Sequence, residues 1–317
     1  MKLNDSDIRN YITGALRFQA DGTPVRMTES QDVKFSPYNP GFHGRCYNTA
    51  GIRIKFLTDG DSLSFNIETP GRYGVLMGDI PVFRDFYPPE DKDFPKHITV
   101  SLDKSGEKAV EFVFPNYQDG RFSNIEVQNA SYIKKYEYKR KFLFYGDSIT
   151  QGMSADRPFM NYASAVSHFF DAEILNQAIS GSWFFPETIE KIPFDPDVVF
   201  IGYGTNELTY SDSIEDTDRR CKEYFEKIKE MYGDKKIIAI SPLWRKVLST
   251  QSAPFFEQIK ECVKRHIKEQ GIHLIDGYDL VPHDGEYFAD QHLHPNNLGF
   301  SFYTLNLIKQ IKDIIEE

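Results

Sequence analysis

The feature that most constrains this chain is a change of hydrophobic period near its middle. From about Val33 to Tyr136 apolar residues recur at every second position: Ile52, Ile54 and Phe56 alternate with Arg53 and Lys55, and Leu63, Phe65 and Ile67 with Ser64 and Asn66. Ile98, Val100 and Leu102, then Val110, Phe112 and Phe114, repeat the pattern. Successive side chains of a strand point to opposite faces, so this spacing predicts strands with one buried face. Asp59-Gly60 supplies a turn between two of them. No long helical period interrupts the segment, and the expectation is an antiparallel β-sandwich of jelly-roll type.

Beyond the basic, tyrosine-bearing stretch Lys134 to Lys141 the pattern becomes short apolar runs alternating with helical segments. The runs are Phe142 to Tyr145, Glu173 to Leu175, Val198 to Tyr203, Ile237 to Ile240 and Ile272 to Ile275. Helical spacing fills Tyr162 to Phe170, Ile214 to Met231, Pro254 to Glu269 and a last segment from about Asn297 to Ile315. Strands alternating with helices imply right-handed crossovers and a parallel sheet, whose functional loops lie at the strand C-terminal ends. A chain of 317 residues exceeds the usual reach of a single core. The expected division is residues 1–138 as the sandwich and 139–317 as an α/β domain.

Charge and cysteine content remove several classes of partner. The formal net charge of -10 and pI near 5.4 argue against a nucleic acid or an anionic membrane, both of which need clustered cations. No apolar run approaches the roughly 18 residues of a membrane span, and Met1 to Asp7 lacks the apolar core of a secretion signal, so the expected location is cytoplasmic. Cys46, Cys221 and Cys262 are odd in number and widely spaced, which predicts inert thiols without a disulfide framework.

Four short blocks carry possible chemistry. Gly146-Asp147-Ser148 follows the first run of the α/β half, Ser180-Gly181-Ser182 follows the second, Gly204-Thr205-Asn206 closes the third, and His294-Pro295 precedes the last helix. Taken singly, each has an ordinary reading: a helix cap, a loop, a turn former, a surface histidine. Their order changes that, because three sit at consecutive strand ends and would converge on one rim. No Gly-x-Ser-x-Gly elbow is present, so the arrangement is not that of an α/β-hydrolase.

With these blocks in place, residues from about Phe142 to Glu317 resemble the SGNH (GDSL-like) hydrolases. The resemblance implies a flavodoxin-like three-layer α/β/α domain, Ser148 as nucleophile and His294 as general base. It also implies an oxyanion hole formed by the backbone N–H groups of Ser148 and Gly181 and the Asn206 side chain. A serine hydroxyl needs such a base at neutral pH, and the developing oxyanion needs such donors. Every role is filled by protein groups, so no metal or other cofactor is expected.

One position departs from the family pattern. Family members usually carry Asp three residues before the histidine, where this chain has Gln291; Asp290 lies one residue further back. Either Asp290 reaches His294 through a wider loop, or a Ser-His dyad operates with a backbone carbonyl orienting the ring. The alternation of Asp290, His292 and His294 also fits a metal-binding segment, but the sequence offers no matching ligand cluster. Trp183, Tyr203 and Trp244 are candidates for an acyl or sugar pocket and equally for core aromatics, while Arg157 and Glu207 stay unassigned.

A β-sandwich ahead of an SGNH domain resembles two-domain microbial carbohydrate esterases. The implied activity is hydrolysis of small acyl esters, acetyl foremost, of small molecules or O-acetylated saccharides. Two alternatives remain: an acyltransferase using the same residues, or a carbohydrate-binding scaffold with a vestigial site. The N-terminal segment itself carries no readable chemistry. Glycan binding, completion of the site's rim and pairing as a homo-oligomer are all compatible with it.

Overall fold

The computed structural model describes residues 1–102, 105–246 and 252–317. Two antiparallel sheets of the first half form a sandwich, beside a small two-stranded sheet of Arg17–Phe18 and Pro24–Val25. A four-stranded sheet runs in the order Lys2–Leu3, Phe122–Gln128, Ser62–Ile67, Lys96–Ser101. A six-stranded sheet has the path Ile133–Lys135, Arg53–Thr58, Lys108–Val113, Gly71–Met77, Ile80–Tyr87, with Ile12–Thr13 also pairing with Arg53–Thr58. Ile54, Phe56, Phe65, Val75, Phe112 and Phe122 face inward from the two sheets and form the sandwich core. Phe65, Phe112 and Phe122 meet edge to face, the geometry favoured by the ring quadrupole.

The second half is a flavodoxin-like α/β/α sandwich. Its five parallel strands lie in the order Ala172–Asn176, Arg140–Gly146, Val198–Gly202, Lys236–Ile240, His273–Ile275. The first strand in sequence is therefore flanked by the second and third, and the connections leave it in opposite directions. That is the switch point where α/β sheets open a crevice at their C-terminal edge. Helices Tyr162–Phe169 and Asn297–Glu316 cover one face, over Phe142, Phe144 and Phe200. Helices Ile214–Tyr232 and Ala253–Glu269 cover the other, over Leu143, Val199 and Ile237. Strands covered on both sides read as continuous apolar runs, which is how the sequence displays them.

The first half differs from expectation in two places. The segment expected to start the strand pattern at Val33 instead contains two seven-residue helices, Glu29–Phe35 and Pro40–Cys46. Thr28 and Gln31 form a capping box on the first, and Asn39 caps the second with Pro40 in its first turn. Helices this short are too brief to establish a period and are held by local capping and by packing. Their apolar residues Phe35, Phe42 and Cys46 join Met27, Ile179 and Phe185 in a separate small core.

The second difference concerns Arg53 and Lys55, which the alternation places toward solvent. Both are buried, at 1% and 8% relative exposure, because the α/β half covers that face of the sheet. Arg53 pairs with Glu111 at 2.7 Å and Lys55 with the same carboxylate at 3.2 Å. Arg53 also donates to the Ser164 carbonyl at 3.2 Å, and the Lys55 ammonium lies 4.1 Å from the Tyr136 ring centroid. Charged pairing makes a polar layer tolerable at this buried junction.

Candidate active site

The Arg140–Gly146 strand ends at a glycine with no space for a side chain. A Cβ on Gly146 would fall 2.2 Å from Thr150 Oγ1 and 2.8 Å from the Gly202 carbonyl, so only glycine lets the turn close against the neighbouring strand. Asp147 then caps the short helix Ser148–Gln151 by accepting from the Ile149 N–H at 2.9 Å. Burial pushes the Asp147 carboxyl up to about 7, which lessens the negative charge held beneath the serine.

Ser148 Oγ lies 2.9 Å from His294 Nε2, and His294 Nδ1 lies 2.6 Å from Asp290 Oδ2. A carboxylate only accepts, so Nδ1 carries the proton and Nε2 is free to accept from the serine hydroxyl. The other oxygen, Asp290 Oδ1, accepts backbone N–H bonds from His292 at 3.1 Å, Leu293 at 2.8 Å and His294 at 3.1 Å. Although partial burial opposes it, these donors and the imidazole hold the Asp290 carboxyl well below the usual carboxylate range. His294 is itself lowered from its ordinary value, burial outweighing the attraction of Asp290.

The one-residue offset has a backbone cause. Gln291 sits in the left-handed region at φ 61°, coiling the loop more tightly so that the residue four before His294 comes under its ring. A bond from the Ala289 N–H to the His294 carbonyl, 2.8 Å, closes the loop.

Two further blocks face this turn from the neighbouring strand ends. Gly181 is left-handed at φ 81°. Asn206 Nδ2 donates to the Ser182 carbonyl at 2.7 Å, so one amide hydrogen ties the two loops together and the second remains for another acceptor. Glu207 is buried, accepts from the Phe184 N–H at 3.0 Å and is pushed up to about 8 by burial; it braces the loop after Ser182. Arg157 donates to the Asp156 carbonyl at 2.7 Å.

The three aromatic candidates separate. Tyr203 is 4% exposed and belongs to the core under the sheet, against Phe184 and Tyr224. Trp183 stacks on Tyr210 at 4.6 Å beside Phe42, forming a partly exposed wall next to the Gly181 loop. Trp244 stacks on His283 at 5.5 Å. Two residues further on, the Lys246 N–H bonds to the His292 carbonyl at 2.9 Å and steadies the histidine loop.

Sequence reasoning missed the contributions of the first half. Tyr117 Oη donates to the Ser148 carbonyl at 3.0 Å. Gln151 Nε2 reaches the Asn116 carbonyl at 2.7 Å while its Oε1 accepts from the Ser180 N–H at 2.7 Å. Arg45 bonds the Ser180 carbonyl, and a Cβ on Gly181 would lie 2.9 Å from its guanidinium. Fully buried Arg26 donates to the carbonyls of Asn176 at 2.7 Å and Ala178 at 2.6 Å. These residues lie outside the strand alternation, in stretches without a periodic signal.

The GDSL-like Lipase/Acylhydrolase family model matches residues 144–301. No curated protein matches the chain in sequence. Among solved structures, a GDSL-like protein of Bacteroides ovatus aligns over 100% of this chain and 98% of its own, with a TM-score of 0.79 and 19% identity. The salicylyl-acyltransferase SsfX3 of a tetracycline biosynthetic pathway aligns over 99% and 97%, with a TM-score of 0.76 and 19% identity. The acetyl xylan esterase Est2A of Butyrivibrio proteoclasticus aligns over 100% and 99%, with a TM-score of 0.65 and 13% identity. At these identities the likeness is one of fold, and it extends over both halves.

Proposed function

Because this chain belongs, over residues 144–301, to the GDSL-like lipase/acylhydrolase family and is an esterase, we propose that it removes small acyl groups, acetyl foremost, from saccharide alcohols through an acyl-enzyme on Ser148. The observation that carries the mechanism is the continuous relay from Ser148 Oγ through His294 to Asp290, at 2.9 and 2.6 Å. His294 Nε2 takes the hydroxyl proton as Oγ adds to the ester carbonyl. The oxyanion is met by the N–H groups of Ser148 and Gly181 and the second Asn206 amide hydrogen. The imidazolium then returns its proton to the departing alkoxide, and water repeats the cycle on the acyl-enzyme.

The saccharide part of this reading rests on a cleft of about 250 Å³ between the sandwich and the loop that follows the nucleophile helix. Arg72, Phe86, Tyr117, Gln118, Met153 and Asp156 line it, combining an exposed aromatic with hydrogen-bonding groups suited to a sugar face and its hydroxyls. The carbohydrate esterases among the structural neighbours agree with it. The test is a rate profile over nitrophenyl esters of increasing acyl length and over acetylated sugars. Acetylated sugars are expected to give the highest kcat/KM, and a preference for long acyl chains on simple alcohols would overturn the assignment. The acyltransferase SsfX3 favours a second reading, acyl transfer to a non-water acceptor. Product analysis with added alcohols separates the two.

Two results are expected at the level of single groups. Asn206→Ala should lower kcat by about 10²- to 10³-fold with little change in KM, since the donor acts mainly in the transition state. A rise in KM alone would assign Asn206 to ground-state binding. The pH profile follows from burial of His294. The imidazole must be neutral to accept the serine proton, and burial disfavours the imidazolium, so activity should fall only as pH drops through a value below the ordinary 6.5. An acid limb of kcat/KM above 6.5 would contradict the role given to this histidine.

A further inference from the structure

Cys262 stands in a cluster that the esterase reaction does not use. Helices Ile214–Tyr232 and Ala253–Glu269 pack side by side on the sheet. Asp218 and Cys221 are one turn apart on the first, and Cys262 and His266 one turn apart on the second, so each pair shares a helix face. Asp218 Oδ1 lies 2.7 Å from His266 Nε2 and 3.4 Å from Cys262 Sγ, and the three donor atoms all fall within 4.8 Å of one another. Cys221 is fully buried on the neighbouring helix, its sulfur outside that radius.

The surroundings are those of a cation site. His266 Nδ1 is 3.1 Å from Glu269 Oε2, a partner that fixes the ring and turns Nε2 toward the cluster, as carboxylates do behind metal-bound histidines. The Arg265 guanidinium already reaches in: its Nη2 contacts Asp218 Oδ1 and lies 3.2 Å from His266 Nε2 and 3.9 Å from Cys262 Sγ. A positive group is thus drawn to the point where the donors converge, while the His266 Nε2–H donates to the Asp218 carboxylate and would give up its proton to a metal at that point. Arg265 is half exposed and can leave along a groove between Glu215, Gln258 and Glu261 that opens to solvent.

We propose that Asp218, Cys262 and His266 form a zinc-type site that clamps the two helices together, the ion displacing the Arg265 guanidinium. One sulfur, one imidazole nitrogen and one carboxylate oxygen suit a tetrahedral, borderline-soft divalent ion with a water in the fourth position. On binding, the Cys262 thiol and the His266 Nε2–H release their protons to solvent and the ion takes their place. The site is independent of the Ser148 chemistry, which needs no metal.

The test uses the full-length protein, reduced, freed of metals and titrated with cobalt(II) chloride and then zinc chloride. One equivalent of cobalt should produce the visible bands of a tetrahedral ion and a thiolate charge-transfer band, both erased by zinc. Cys262→Ser and His266→Ala should lose the spectrum, and Cys46→Ser should keep it. Arg265→Ala retains every donor and alters only a half-exposed side chain, so its fold is secure; it should bind about tenfold more tightly, because the competing cation is gone. If the cluster is merely an Arg–Asp–His ion network, Arg265→Ala gains no affinity. That result, or no charge-transfer band in either this variant or the unaltered protein, would overturn the proposal.

Discussion

Replacing Ser148 by alanine is expected to lower kcat on an acetyl ester by about 10⁴- to 10⁶-fold while leaving the protein folded. In the mechanism proposed above the hydroxyl oxygen is acylated, and nothing near it can substitute: His294 Nε2 is its hydrogen-bond partner, and the imidazole would be left facing a methyl group. Structural cost should be small. The Ser148 carbonyl still accepts from Tyr117, the Asp147 cap on Ile149 is untouched, and only a hydroxyl volume is lost at a buried position. Thermal unfolding should therefore shift by a few degrees at most, and the burst of nitrophenol that reports acyl-enzyme formation should vanish. Hydrolysis at the unaltered rate would eliminate the serine mechanism.

Asp290→Asn is expected to cost nearly as much, about 10⁴-fold in kcat. Asp290 is fixed by four groups at once, three backbone N–H donors on Oδ1 and the imidazole on Oδ2. In the variant the amide oxygen must stay with the backbone donors, since turning the NH₂ group toward them would set donors against donors. The NH₂ group therefore faces His294 Nδ1 and donates to it, which moves the ring proton to Nε2. In that tautomer the imidazole cannot accept from Ser148, although every atom remains in place. A dyad gives another outcome: the loss would be tenfold or less while His294→Ala still abolishes turnover. Asp290→Ala is a poorer probe, because it also strips the acceptor from three loop N–H groups.

The sequence carried the parallel sheet clearly, because strands covered on both faces write themselves as apolar runs with glycine-bearing blocks at their ends. Ser148, Gly181 and Asn206 could be marked as candidates for the same reason, and His294 by its place before the last helix. The position of Asp290 was harder to read, since a left-handed Gln291 is a backbone choice that spacing does not encode. Arg53 and Lys55 misled in the opposite sense: alternation reports which face of a strand is apolar, but a polar face buried under another layer looks the same as one in water. Glu29–Phe35 and Pro40–Cys46 escaped notice because seven-residue helices rest on caps and packing. Tyr203 illustrates the ambiguity of aromatics at strand ends, where the next residue in the chain faces the rim and its neighbour faces the core.

The bonds from Tyr117, Arg26 and Arg45 to the nucleophile turn and the Gly181 loop have a consequence for how the molecule fails. The backbone of the Ser148 turn and of the Gly181 loop is pinned from outside the sheet that carries it. A disturbance of the sandwich, by warming, by denaturant or by a substitution far from any ester, is therefore expected to upset the alignment of the relay, so that turnover is lost before the parallel sheet melts.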